Sequence, residues 1–162
     1  MLSDEVKQQA ATAALLERDA AAVVDGVYRL GELTLYIEPA AIVNVCRFLK
    51  HDYGLNRLSA VTCVDWHPAE PRFELVYHLH SLARHERLRL KCKVSGERPE
   101  IDSVCDVWRG ANWYEREVYD LFGVVFRNHP GLTRIMMPEG WEGHPLRKDF
   151  PVHGHKYSYK DE

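Results

Sequence analysis

Two segments in the middle of the chain alternate between apolar and polar residues. In RFELVYHLHS (72–81), Phe73, Leu75, Tyr77 and Leu79 point one way, and Glu74, Val76, His78 and His80 point the other. In RLRLKCKV (87–94), Leu88, Leu90, Cys92 and Val94 oppose Arg87, Arg89, Lys91 and Lys93. A period of two is that of a strand with one buried face. LSAVTCVD (58–65) is a compact apolar strand, and ELTLYIE (32–38), following Val23, Val24 and Asp25-Gly26, predicts a first strand or hairpin. The period lengthens elsewhere. Residues 4 to about 17 predict a helix, with Ser3 as cap and Asp4 and Glu5 in the first turn. Pro39 opens a second helix with an apolar stripe of Ile42, Val45, Cys46 and Leu49, and Gly54 stops it. Strands joined by short polar turns make an antiparallel sheet with one buried face, and the two helices are its cover. The fold class expected is α+β, a two-layer sandwich of a mostly antiparallel sheet covered by helices, with an extended irregular C-terminal segment.

From Ser103 the texture changes. SVCDVW is a short helical turn capped by Ser103 and ended by Gly110. ANWYEREVYDLFG (111–123) reads as a complete small helix in which Asn112 caps, Glu115 follows three residues on and Gly123 terminates. After VVF (124–126) regular patterning decays. Residues 1–137 are therefore expected to form the globular domain and 138–162 an extended docking tail.

Composition narrows the function classes. The chain has 162 residues, with 21 Lys+Arg against 24 Asp+Glu, and its net charge of −3 gives no bulk electrostatic case for nucleic acid or an anionic membrane. The four cysteines lack CxxC spacing and stand among apolar or alternating residues, which predicts buried, reduced thiols in a cytoplasmic setting. No apolar run has bilayer-spanning length, and the polar, acidic start differs from a signal or transit peptide. Membrane association is expected to be indirect.

Candidate chemistry is sparse. Glu115, Glu117 and Asp120, with His129, could be assembled into an acid/base or metal constellation. The structural alternative has Glu115 capping, Arg116 pairing with Asp120 and Glu117 supporting the helix start. His78 with His80, and His153 with His155, have a spacing that holds zinc if two further ligands arrive, but the sequence offers none. The stripe Arg87, Arg89, Lys91, Lys93 fits a solvated sheet face that discourages edge pairing at least as well as it fits an acidic partner, and alone it decides nothing.

The stretch WEGHPLRKDFP (141–151) allows a more quantitative argument. Ordering residues 138–151 costs about 1–2 kcal/mol each in backbone entropy, whereas burying Trp141, Leu146 and Phe150 returns about 1.5–3 kcal/mol apiece. Hydrogen bonds from main chain and from Arg147, Lys148 and Asp149 must supply the difference; a partner protein is the expected surface, and folding back onto the chain's own sheet is the alternative.

These residues carry a family resemblance. The stretch YEREVYDLFGVVFRNHPGLTRIMMPEGWEGHPLRKDFP, from Tyr114 to Pro151, resembles the signature region of the 30-kilodalton-type (C-type) subunit of proton-pumping NADH:quinone oxidoreductase, respiratory complex I. It departs at Thr133, where many members carry a second basic residue. The resemblance implies a non-catalytic subunit of the peripheral arm of this translocase. No cofactor is expected in the chain itself, the NADH, FMN, iron–sulfur clusters and quinone belonging to the holo-complex. It also implies docking onto the large, D-type quinone-site subunit, with contact to the iron–sulfur subunits, at the cytoplasmic face of the plasma membrane. The partner-binding residues it implies are Arg134, Trp141, His144, Leu146, Arg147, Lys148, Asp149 and Phe150. A structural signature is formed by Asn112, Glu115, Arg116, Glu117, Asp120, Gly123, His129 and Pro130. Membrane-bound hydrogenases and formate hydrogenlyases reuse a similar module, so an equivalent scaffold there is the alternative.

Overall fold

The alternating segments form a five-stranded sheet in the order β1-β2-β5-β4-β3. Its strands are β1 (Val23–Arg29), β2 (Glu32–Ile37), β3 (Arg57–Asp65), β4 (Phe73–Ser81) and β5 (Glu86–Val94). The computed structural model describes residues 2–151. All neighbouring strands run antiparallel except β2 and β5, which pair in parallel with Leu35 beside Leu90. The first hairpin turns at Leu30 and Gly31, both at positive φ (54° and 76°), as a two-residue hairpin loop requires. Asp25-Gly26, a turn signal in isolation, lies inside β1. A Cβ on Gly26 would stand 2.7 Å from Val6 Cγ1, so the glycine admits the N-terminal helix to the strand.

The helix expected over 4–17 is two helices, α1 (Asp4–Lys7) and α2 (Ala10–Asp19), separated at Gln9 with φ −67° and ψ 130°. The break lets Val6 reach Gly26 while Ala11 and Leu15 sink into the core. Ser3 Oγ accepts from Val6 N at the first helix start, as its residue type predicts. Pro39 opens a turn leading into α3 (Ile42–Phe48), and Gly54, at φ 99°, closes the wider turn that follows. Ile42, Val45, Cys46 and Leu49 are all buried.

The core lies between these helices and one face of the sheet, where Phe73, Leu75, Tyr77 and Leu79 of β4 meet Leu88, Leu90, Cys92 and Val94 of β5. All four cysteines are buried and free. The last helix, α4 (Ala111–Phe122), packs on β3 and buries Ala111 and Val118. A short strand that local patterning did not reveal, β6 (Glu100–Asp102), pairs in parallel with β7 (Val125–Arg127) and brings both ends of α4 back to the domain. Among the described residues, no helix is long and apolar enough to cross a membrane.

Candidate docking surface

Helix α4 holds two fully buried carboxylates, and each grips a separate loop. Glu115 accepts from Val104 N (2.8 Å), Ser103 Oγ (2.6 Å) and Cys105 Sγ (3.3 Å), pinning the turn before the helix. Asp120 Oδ2 accepts the consecutive amides of Ile135 (3.0 Å), Met136 (2.7 Å) and Met137 (2.8 Å), while Arg134 Nη1 donates to Oδ1 at 2.6 Å. Burial by itself pushes the Asp120 carboxyl up. The amides of Met137, Ile135 and Met136 and the Arg134 guanidinium outweigh it and hold the group below the usual carboxylate range.

The chain then doubles back along the helix end. A helix leaves its last carbonyls without intrahelical partners, and α4 stops at Gly123, with φ 74°. The freed carbonyls are taken one after another: His144 Nδ1 donates to Asp120 O (2.8 Å), Leu146 N to Leu121 O (3.0 Å) and Arg147 Nε to Phe122 O (2.6 Å). Gly123 is needed for room as well as for φ, because a Cβ there would lie 2.5 Å from Arg147 Nη2 and His144 Cδ2.

A third buried carboxylate fixes the end of the returning segment. Asp65, at the end of β3, receives Arg72 through Nε (2.9 Å) and Nη2 (2.8 Å), His67 N (2.9 Å) and Lys148 N (2.8 Å). Burial raises its carboxyl, but the Arg72 guanidinium and the Lys148 and His67 amides hold it far below the usual range. Arg72 also forks onto Asp149, at 2.9 and 2.6 Å. The Arg147 guanidinium lies 5.3 Å from the Phe73 ring centre, and Trp141 stacks on Phe150 with centroids 6.4 Å apart.

These contacts correct the expectation that residues 144–149 take their hydrogen-bond partners from another chain. The demand for charged and main-chain hydrogen bonds is met within the domain, by the helix-end carbonyls and by Asp65. Residues 152–162 of the expected tail, with His153 and His155, lie outside the described residues.

Other assignments also change. Gly110, not Asn112, is the N-cap of α4. Asn112 lies inside the helix, and its carbonyl receives His129 Nε2 at 3.3 Å. Glu115 caps the loop at 104 instead of its own helix. Arg116 does not pair with Asp120: it donates to Thr133 O and Arg134 O (both 3.1 Å) and lies over the Trp113 ring at 5.2 Å. Pro130 sits in a turn after β7.

The acid/base constellation of Glu115, Glu117, Asp120 and His129 is not assembled, and Asp120 is taken up by the 134–137 loop. Glu117 lies about 200° around the helix from Glu115 and is exposed, whereas the side chains of Glu115 and His129 are shut off from solvent. Cys105, Glu115 and His129 do cluster, with their candidate ligand atoms within 4.8 Å of one another. His129 Nδ1, however, accepts the Gly131 amide at 3.0 Å, so the proton of the neutral ring is on Nε2, directed at Asn112 O and 3.9 Å from Glu115. Burial lowers the affinity of His129 for a second proton and pushes the Cys105 thiol up to about 12. The cluster is a closed donor–acceptor network with no imidazole lone pair available to a cation. His78 and His80 lie on the opposite face of the sheet among arginines, which does not favour a metal.

Besides the charged Glu139, Glu142, Lys148 and Asp149, the anchored segment and α4 leave large apolar side chains outward. Trp113 is 60 % exposed, Ile135 37 %, Met136 61 % and Leu146 52 %, and all four are bound to α4 or its immediate neighbours. Such a strip, held rigid from beneath and rimmed by polar groups, has the character of a protein contact surface.

Comparison with known proteins gives this arrangement a family. Residues 35–156 match the model described as "Respiratory-chain NADH dehydrogenase, 30 Kd subunit". The chain is 43 % identical over 153 residues to the NADH-quinone oxidoreductase C subunit of Geotalea uraniireducens, covering 94 % of this chain and 93 % of that one. It is 48 % identical over 141 residues to the corresponding C subunit of Geobacter sulfurreducens, covering 86 % and 87 %. Among solved structures, a trypsin-resistant fragment of Nqo5 superposes with a TM-score of 0.60 at 34 % identity, over 65 % of this chain and 86 % of that one. A chain in the structure of the membrane-bound sulfane sulfur reductase, described as an archaeal respiratory membrane complex, superposes with a TM-score of 0.66 at 28 % identity, over 86 % and 83 %. With a family match over most of its length and relatives of this identity, the chain belongs to the 30-kilodalton subunit family of respiratory-chain NADH dehydrogenase, which is the C-type subunit family of NADH-quinone oxidoreductase.

Proposed function

We propose that this chain is a non-catalytic, cofactor-free structural subunit of the peripheral arm of NADH:quinone oxidoreductase, where it docks the large, D-type quinone-site subunit. The complex would transfer electrons from NADH to quinone with proton translocation, and this chain's contribution is to hold its neighbours in position. On this reading it sits at the cytoplasmic face of the plasma membrane and meets the membrane only through the complex.

The observation that carries the reading is the exposure of Trp113 on α4 and of Ile135, Met136 and Leu146 on the segment beside it, whose own backbone needs are met internally. The partner-binding roles of Arg134, Trp141, His144, Arg147, Lys148, Asp149 and Phe150 then become largely indirect, because most of these residues fix the segment that displays the strip. Likeness to the sulfane sulfur reductase chain supports an equivalent scaffold in other respiratory membrane complexes. The higher identity to NADH-quinone oxidoreductase subunits over most of the chain favours the quinone oxidoreductase.

The test is a double variant, M136E/L146E. Both side chains are more than half exposed, so the isolated chain should melt as wild type does. In the cell, co-purification of the large quinone-site subunit with the tagged chain should be lost, along with membrane NADH:quinone activity. Normal association and activity in this variant would refute the docking reading.

A further inference from the structure

A second surface lies on the far side of the sheet, where no helix covers the side chains that alternate away from the core. Cross-strand pairing fixes its layout. Arg57 stands opposite His80, His80 opposite Arg87, His78 opposite Arg89 and Glu74 opposite Lys93. Thr34 and Tyr36 flank Arg89 and Lys91, and Arg29 faces Glu32. The face therefore collects Arg29, Arg57, Arg87, Arg89, Lys91 and Lys93 against Asp25, Glu32, Glu38 and Glu74. Six cations to four carboxylates, on a chain with net charge −3, is a local reversal of sign.

Internal pairing uses only part of that excess. Lys91 lies 2.6 Å from Glu74, and Arg89 lies 2.8 Å from Glu32. Among the described residues, Arg57, Arg87 and Lys93 have no ion-pair partner, and all three are exposed. Arg57, Arg87 and Arg89, with His78 and His80, line a groove of about 540 Å³. The β5 cations recur at every second residue, about 6.8 Å apart, which is the spacing of alternate side chains on any other extended chain.

We propose that this uncovered face docks an acidic, extended segment of a partner polypeptide, with carboxylates seated on Arg57, Arg87 and Lys93. A lipid headgroup layer or a nucleic-acid backbone is a near-continuous anion and would meet the exposed carboxylates of Asp25, Glu32 and Glu38 set among the cations. The separate carboxylates of a peptide can avoid them. The inference rests on the chain working inside an assembly, but it uses a different surface from Met136 and Leu146.

In the intact complex, zero-length carbodiimide coupling should join the Lys93 amine to an Asp or Glu of another chain, located by mass spectrometry. This measurement uses the unaltered protein. The variant R57E/R87E should weaken retention of the chain in the complex about tenfold in a salt-wash titration, two attractions having been turned into repulsions. The isolated chain should keep its melting temperature, since both side chains are exposed and unpaired. The proposal is overturned if R57E/R87E is retained like wild type, or if a water-soluble acylating reagent modifies Lys93 equally in the complex and in the isolated chain. It is also overturned if the isolated chain binds phosphatidylglycerol vesicles and R57E/R87E does not, which would assign the face to lipid. Release by M136E/L146E without release by R57E/R87E would remove this inference and leave the docking function standing.

Discussion

Replacing Asp120 by Asn tests the central construction of the molecule. The substitution keeps the shape of the side chain and removes its charge. Three main-chain amides and one guanidinium converge on the carboxylate, which is fully buried, while the Arg134 side chain is 26 % exposed. A hydrogen bond to a charged group contributes about 1.5–3 kcal/mol, against about 1 kcal/mol for a neutral one. An Asn oxygen can still receive the amides, but its NH₂ would face the Arg134 guanidinium. Breaking a buried pair from one side costs about 3–5 kcal/mol, and the partial exposure of Arg134 reduces that figure. The expected loss is about 2–4 kcal/mol in urea unfolding of the isolated chain, or a fall of about 5–15 °C in melting temperature.

The pH dependence gives a second readout. The folded carboxyl titrates below its unfolded value of 3.8, so its contribution is complete above that value and is lost as pH falls through the folded pKa. The gap between wild type and D120N should stay constant at neutral and higher pH and close on acidification. A variant melting within about 1 °C of wild type, or a gap that persists unchanged into acid, would refute the reasoning.

Two further outcomes can be checked on the same isolated chain. Changing Arg147 to Ala should lower stability by about 1–2 kcal/mol, because it removes a charged donor from Phe122 O and a partly exposed stack on Phe73; an unchanged urea midpoint would place its true partner elsewhere. Changing Tyr77 to Phe should raise stability by about 1 kcal/mol, since the buried hydroxyl has no hydrogen-bond partner among the described residues, and a loss in the same assay would reveal a partner for it.

The parts of this structure that were legible in the sequence are those with local signatures. Strands β4 and β5 follow from period-two alternation, and the ends of the helical run that begins with α3 and of α4 follow from Gly54 and Gly123, which adopt the positive φ that stops a helix. The parallel pairing of β2 with β5 and the strand β6 were not legible, because alternation marks which face is buried but not which neighbour a strand chooses. The spacing of Asn112 and Glu115 imitates a capping pair, yet the partner of Glu115 is an amide eleven residues earlier. The partners of Asp120 are likewise silent in sequence: they are main-chain amides 15–17 residues away, and any residue but proline supplies an amide. A signal for the path of residues 144–147 did exist. A helix ending at Gly123 leaves bare carbonyls, and a following segment rich in His and Arg can take them.

The way the loops are held also determines where their composition can drift. Asp120 and Asp65 receive the amides of Ile135, Met136, Met137 and Lys148, so the hold on those four positions passes through atoms that nearly every amino acid shares. Side chains there can be exchanged to suit a changing neighbour without loosening the chain, while the two distant acids cannot. An assembly built this way can retune its contacts at the rim and leave its own framework untouched.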